Sequence, residues 1–313
     1  MTGKVKYKPR SWHDYNKSLV ERGNLSVWIS DEVIEDWQTL QDSQRGAPRQ
    51  YSDLAIKTML ELKCLFNLSL RASQGFFQSL FDLLKIELPV PNYTTLSRRL
   101  RQLNIQLNLV KDEIPISLAI DSSGLKVYGE GEWKVRTHGY SKRRTWRKFH
   151  LGINVDNQKI HAATVTTNDF KDNEVFEDTV SQVNGPIVDV LGDGAYDSKN
   201  CYKFCASKNI IPIFPPRKGA ILHQHGNCKK APLPRDQVIR HIRDFGKKDW
   251  KKKMNYHRRS LAESAMFRFK RQFTAELKSR NFDNQANEIF IKCGILNRFT
   301  HLGLANSVPV VCR

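Results

Sequence analysis

Between residues 54 and 84 apolar side chains return every three or four positions. Leu54, Ile56, Met59, Leu60, Leu62 and Leu65 predict one helix. Leu70, Phe76, Phe77, Leu80, Phe81 and Leu84, opened by Ser69, predict a second. Upstream, Ser30 can cap a shorter helix that turns Val33, Ile34, Trp37 and Leu40 inward. Its first turn carries Asp31, Glu32 and Glu35, which suit the positive end of a helix. Residues 41–52 read as a loop. The segment LPVPNYTT breaks the helical pattern with two prolines, after which Thr94 or Thr95 caps a third helix, TLSRRLRQL. That helix turns Leu96, Leu100 and Leu103 inward and Arg98, Arg99 and Arg101 outward. The pattern predicts an all-α N-terminal domain over residues 1–110, similar to a helix-turn-helix unit, with the arginines facing DNA. An ordinary helical bundle gives the same periodicity, and the arginine face is what favours the DNA-binding reading.

Past residue 110 the period changes from helix to strand. Ile114, Ile116, Leu118 and Ile120 alternate up to Asp121. RKFHLGINVD and KIHAATVTT follow as two strands joined at Asp156-Asn157. A helix over 173–183, an apolar strand PIVDVL ending at Asp193, a helix over 199–208 and a strand over 210–214 come next. Residues 215–255 read as a loop-rich basic insertion. Helices at about 259–280 and 285–302 close the chain. Three strands, helix, strand, helix, strand and then helices is the order of an RNase H-like α/β domain. The expectation is therefore a mixed five-stranded sheet with flanking helices over residues 111–313.

Charge narrows the function. There are 51 Lys and Arg against 32 Asp and Glu in 313 residues, a formal charge of +19. Such an excess is compensated by a polyanion, and nucleic acid is the best candidate. No apolar run approaches the ~18 residues that span a bilayer, and MTGKVKYKPRSW has no apolar stretch of a secretory signal. These features predict a cytoplasmic protein without a membrane partner. The six cysteines are scattered and read as reduced thiols.

Three acids stand out against this background. Asp121 lies within or at the end of the first strand and Asp193 at the end of the fourth, and the proposed topology makes these two strands neighbours. Two carboxylates packed together are costly unless a cation lies between them. The glycines on either side of Asp193 would let a phosphate or a hydrated ion approach the backbone. Glu263 lies on a helix beside the apolar stripe Leu261, Ala262, Ala265, Met266 and Phe269 and can supply a third carboxylate. Hard oxygen ligands suit Mg²⁺ or Mn²⁺, two ions of which can flank a scissile phosphate. Asp197 is a rival for the second position but better suits an N-cap of the following helix.

Residues 256–270 read YHRRSLAESAMFRFK, spaced as Tyr256, Arg259, Glu263 and Lys270. This resembles the Y-(2)-R-(3)-E-(6)-K signature of bacterial insertion-sequence DDE transposases. The stretches around Asp121 and in LGDGAYDS, together with WHDYNKSLVERGNLSVWI and PNYTTLSRRLRQL, are similar to the same family over nearly the whole chain. The resemblance implies that Asp121, Asp193 and Glu263 bind the catalytic metal. It implies that Tyr256, Arg259 and Lys270 touch phosphates of the transposon end. It also implies terminal inverted repeats and target DNA as partners, and a homodimer or larger synaptic complex. Helical spacing agrees, since Arg259, Glu263 and Lys270 share one face.

Other basic residues extend the expected DNA surface. One run holds Arg136, His138, Lys142, Arg143, Arg144, Arg147 and Lys148, interleaved with Trp133, Tyr140 and Trp146. A second, from Arg235 to Arg259, includes Lys247, Lys248, Lys251, Lys252, Lys253 and Arg258. Trp250 lies inside it, and the resemblance makes it a candidate for stacking on a flipped base; packing is the plainer reading. His150 is a core histidine or a support of the site. His223, His225 and Cys228 match no strong zinc spacing, and Cys201 and Cys205 fit one buried helix face. Two other functions fit the same residues: a DNA-binding relic of a transposase, and an RNase H-like nuclease that hydrolyses without joining.

Overall fold

The structure is a computed structural model that describes residues 7–9, 11–39, 49–105, 107, 114–127, 146–224, 233–304 and 307–309. Arg136, His138, Lys142, Arg143, Arg144, Trp133, Tyr140, His225, Cys228 and Leu40, named above, lie outside these residues. The chain divides into two compact units. One comprises 1–105 together with 294–313, the other 106–293. This differs from the expected division, which placed the whole C-terminal helix with the sheet. The periodicity of that helix is unbroken, so it carries no mark of the change of neighbours.

In the first unit β1 (Tyr7–Pro9) pairs antiparallel with Ser307–Pro309, β8 in chain order. Its helices are α1 (Trp12–Glu21), α2 (Leu25–Trp28), α3 (Asp31–Glu35), α4 (Asp53–Leu65), α5 (Leu70–Leu84) and α6 (Tyr93–Gln102). The last three pack pairwise on one another. Trp37 is fully buried, 4.9 Å from Phe81 and 6.0 Å from Phe77, and its indole N–H donates to the Pro89 carbonyl at 2.8 Å. Caps explain where the helices begin. Ser52 and Ser69 accept from the Ala55 and Ala72 amides. The cap of α6 is Asn92, which accepts from the Thr94 amide at 2.9 Å, rather than Thr94 or Thr95.

The second unit is built on a six-stranded mixed sheet. Its strands are β2 (Ile116–Val127), β3 (Trp146–Asn154), β4 (Ile160–Thr167), β5 (Ile187–Leu191), β6 (Ile211–Ile213) and the two-residue β7 (Glu276–Leu277). The order is β4-β3-β2-β5-β6, with β7 joining the far end of β2. The first three strands are antiparallel, and β5 and β6 run parallel to β2. That order and sense are those of an RNase H-like sheet, with one short strand beyond the five expected.

Among the described residues four helices precede the last one here: α7 (Phe176–Val180), α8 (Lys199–Ser207), α9 (Pro234–Lys253) and α10 (Ser260–Phe273). Alternate residues of β2 face opposite sides of the sheet. Ile116, Leu118 and Ile120 pack with Val190, Phe176, Tyr196, Phe204 and Phe214 on one side. On the other, Phe149 of β3 meets Phe269 of α10 at 5.0 Å.

Four expected boundaries change. The helix over 173–183 is confined to Phe176–Val180. The basic stretch before residue 255, expected to be loop, holds the 20-residue α9, interrupted at Gly246, whose φ is +85°. The helix at 259–280 stops at Phe273, because Thr274 has φ +64° and turns the chain into β7. The last helix, α11 (Phe282–Leu302), begins three residues earlier than expected. Among the described residues no helix is long and apolar enough to cross a membrane.

Candidate active site

The register of the central strands places the two aspartates. In the parallel pair β2 and β5, Ala119 lies opposite Leu191. Asp121 and Asp193 each come two residues later. Strand β5 ends at Leu191, so Asp193 leaves the sheet, whereas β2 continues to Val127. Of the two places open to it, Asp121 takes the one inside its strand, and the shorter neighbour leaves its side open. The Asp121 carboxylate accepts from the Ser122 amide at 2.9 Å. Asp193 caps the turn Gly194–Tyr196 and accepts from the Ala195 amide at 2.8 Å.

Of the two glycines beside Asp193, Gly192 serves packing and Gly194 leaves open space. A Cβ on Gly192 would lie 2.6 Å from the Tyr196 ring and 3.1 Å from Phe214, while on Gly194 the nearest atom is the Pro215 carbonyl oxygen at 3.5 Å. The room at Gly192 is taken by Tyr196, a buried residue that sequence reasoning did not single out.

Helix α10 packs on β2 and β3 and brings its signature residues to the same side. Arg259 forms an ion pair with Glu263 and lies 3.9 Å from the Asp121 carboxylate. The Lys270 ammonium donates to the Ser123 hydroxyl at 2.5 Å. The Tyr256 hydroxyl donates to the Gly192 carbonyl at 3.2 Å, and its ring packs 5.4 Å from Trp250. Thus Asp121, Arg259, Glu263 and Lys270 converge. Tyr256, expected to reach phosphate, is instead buried beneath them with its hydroxyl engaged by backbone.

Burial pushes the Asp121 carboxyl above its ordinary range, and the negative charges of Asp193 and Glu263 add to the push. The Ser122 amide and the Arg259 guanidinium oppose it. Arg259 is held protonated: burial works against its charge, but Tyr256, Glu263 and Asp121 outweigh it. The acids are close enough to repel one another, and one guanidinium provides the compensating charge.

Among the described residues no three His, Cys, Asp or Glu side chains are gathered around a common metal position. The chemistry of the donors still fits a hard divalent cation. They are carboxylates only, and their crowding is the kind that a cation relieves.

Several expected contacts turn out to be internal. Asp197, the rival second acid, is buried. It takes hydrogen bonds from the Arg235 guanidinium at 2.7 and 3.3 Å and from the Arg217 amide at 3.0 Å. It caps no helix; Ser198 caps α8. Trp250 is 2% exposed, so the base-stacking reading is corrected to core packing. Arg99 does not face outward. It is 5% exposed, donates to Asp53 and to the Tyr51 carbonyl, and lies on the buried side of α6, while Arg98 is exposed.

Arg147 donates to Gln285 at 2.8 Å and lies over the Phe282 ring, and Lys148 pairs with Asp172 at 2.9 Å. His150 is buried, bonded to Thr166 and 3.5 Å from Asp172, and burial lowers its pKa to about 4. Arg258, part of the basic run, braces the turn before α10 by donating to Asp189 and Ser117. Lys251, Lys252 and Lys253 remain exposed, and Lys251 lies 5.5 Å from the Tyr256 ring. Cys201 and Cys205 are buried free thiols in the core.

Known proteins bear on this arrangement in three ways. An uncharacterized protein of Aquifex aeolicus is 37% identical over 89 residues, 28% of this chain, and the chain spans only 25% of that relative. A Drosophila P element transposase strand transfer complex aligns at 14% identity with a TM-score of 0.28, covering 64% of this chain and 43% of that one. A piggyBac transposase synaptic complex with hairpin DNA aligns at 11% identity with a TM-score of 0.37, covering 95% and 78%. Two family models, each described as a transposase DDE domain, match residues 20–130 and 115–298. Because the second spans more than half of the chain and includes Asp121, Asp193 and Glu263, the protein belongs to the DDE-domain transposase family.

Proposed function

We propose that the protein is the DNA transposase of a bacterial insertion sequence. In this reading it cuts phosphodiesters at the element's terminal inverted repeats and joins the freed 3′ ends to target DNA. The observation that carries the proposal is the parallel register of β2 and β5, which sets Asp121 and Asp193 side by side where β5 ends, with α10 beside them. Asp121, Asp193 and Glu263 would hold divalent cations, Mg²⁺ or Mn²⁺, two in number. Bound there, such ions make water or a 3′-hydroxyl more acidic and neutralise charge on the phosphate.

The remaining work falls to the chain's own groups. Arg259 now neutralises Glu263 and Asp121, and near a phosphate it supplies two parallel donors to the non-bridging oxygens. Lys270, anchored on Ser123, adds a second cation on the same helix face. Tyr256 holds the Gly192 carbonyl and so fixes the backbone next to Asp193. The Arg98 face of α6 and the lysines at the end of α9 contact DNA phosphates away from the reaction. Two ends must be bridged, so at least two copies assemble, in the cytoplasm on nucleoid DNA.

The test uses labelled DNA carrying the element's own ends, with Mg²⁺ and then Mn²⁺. Wild type is expected to cut and join, and Asp193→Asn to bind without cutting. Cutting by wild type that never proceeds to joining would make the protein a nuclease. Asp193→Asn that cuts as well as wild type would remove Asp193 from the metal site.

A further inference from the structure

Helix α10 presents an exposed aromatic on its active-site side that the signature does not include. Phe267 follows Glu263 by four residues and precedes Lys270 by three. Its neighbours on the helix surface are therefore Glu263, Ser264, Lys270 and Arg271. The buried side of the same helix is filled by Ala262, Ala265, Met266, Phe269 and Phe273. Phe267 takes no part in that core and is 62% exposed. Contacts fix which way its stripe points: Arg259 approaches Asp121, and Lys270 bonds Ser123. Phe267 therefore stands at the outer margin of the row of charges that faces the carboxylates.

An isolated exposed apolar residue usually needs no explanation. This one is placed among groups that all suit a polynucleotide. Four residues of helix advance about 6 Å, so a ring at 267 lies one or two nucleotides along a strand whose phosphate is held near Glu263. Inside a duplex both faces of each base are covered by neighbours. An aromatic can meet a bare base face only at an end or at an unpaired nucleotide.

Resting on the reading of the chain as a transposase, we propose that Phe267 is a stacking platform for the terminal base at the DNA end adjoining the active site. Its effect is to retain and orient the end from which the strand is joined. A ring flanked by Lys270 and Arg271 suits this role, because base stacking is indifferent to sequence and phosphate contacts are close by.

The experiment compares the full chain with Phe267→Ala, Phe267→Leu and Phe267→Trp on two probes. One is an open duplex with 2-aminopurine as its terminal base. The other is a covalently closed circular duplex of the same sequence, without ends or unpaired nucleotides, with 2-aminopurine in its interior. Phe267→Ala is expected to weaken binding to the open probe by roughly tenfold, to abolish quenching of the terminal 2-aminopurine, and to leave binding to the closed probe unchanged. Phe267→Trp should restore both readouts and Phe267→Leu should not. Thermal melting identifies a variant that has merely lost its fold, which an exposed position is not expected to do.

Equal binding of both probes by Phe267→Ala overturns the proposal, as does full rescue by leucine. A change in oligomeric state with unchanged end binding also overturns it and makes the ring an interface between copies. Wild type that binds neither probe would sink the transposase reading itself, and this proposal with it.

Discussion

Two arginine–carboxylate clusters in the sheet unit are built from the same residue types and differ in every other respect. Arg235 and Asp197 are 13% and 1% exposed at their side chains, and Asp197 also accepts from the Arg217 amide. In the second cluster Glu263 is 54% exposed and Arg259 is shared between Glu263 and Asp121, while Asp193 adds negative charge nearby. The first cluster is satisfied and closed. The second is short of positive charge and open to solvent. Asp193 and Asp197 are only four residues apart, so what separates an open carboxylate from a closed one here is the completeness of its partners.

The largest expected difference follows from that contrast. Asp197→Asn leaves the buried Arg235 with a weaker partner and is expected to cost up to about 3–5 kcal/mol, read by urea unfolding. Asp193→Asn is expected to leave the midpoint unchanged while abolishing cleavage. Equal destabilisation by the two substitutions would erase the distinction. Trp250→Ala should likewise cost about 3–5 kcal/mol, whereas Trp250→Phe should retain DNA affinity, measured by fluorescence anisotropy. Loss of affinity in the phenylalanine variant would revive a direct contact with DNA.

The same contrast recurs on α6. Arg99→Ala empties a buried position and removes the donations to the Tyr51 carbonyl and to the exposed Asp53 carboxylate, and is expected to destabilise by roughly 1–3 kcal/mol. Arg98→Ala should leave stability intact and lower the salt-dependence slope of DNA binding by about 0.9. Measuring both variants in a salt titration and a thermal melt separates the two roles.

The smallest effect concerns pH. Asp121 holds its proton more tightly when folded than the ordinary aspartate value of 3.8. Its contribution to stability is therefore full below that value and is lost as pH rises through the raised one. Asp121→Asn should raise the melting temperature at pH 7 by about 1–2 °C and flatten the fall in stability across that window. A lowered melting temperature at pH 7 would show that the charge is better compensated than the geometry implies.

These clusters also show how far the sequence could be read. Alternation marks β2, and short apolar runs bounded by turn residues mark β3 to β6, most of which are buried over successive residues. The two-residue β7 is too short for any period to register. Helix α9 was hidden because Val238, Ile239, Ile242 and Trp250 are sparse among lysines and arginines, and Gly246 breaks their phase. Arg99 was misplaced although it follows Leu96 by three residues and precedes Leu103 by four, on the inward stripe of its own helix. That Asp121 and Glu263 come near one another, with Arg259 between them, is foreshadowed by strand order and helical spacing. That Asp197 belongs to Arg235 is not, because 38 residues separate them and only the folded chain brings them together.

Gly192 gives the site an unusual relation to mutation. Its carbonyl receives the Tyr256 hydroxyl, and the space where a side chain would stand is filled by Tyr196. A single methyl group there has to displace an aromatic ring next to Asp193. If every amino acid were offered at this position under selection for transposition, only glycine should survive, and alanine should be lost as completely as lysine. The site can thus be disabled by a mutation that alters no charge, removes no ligand and leaves each signature residue in place.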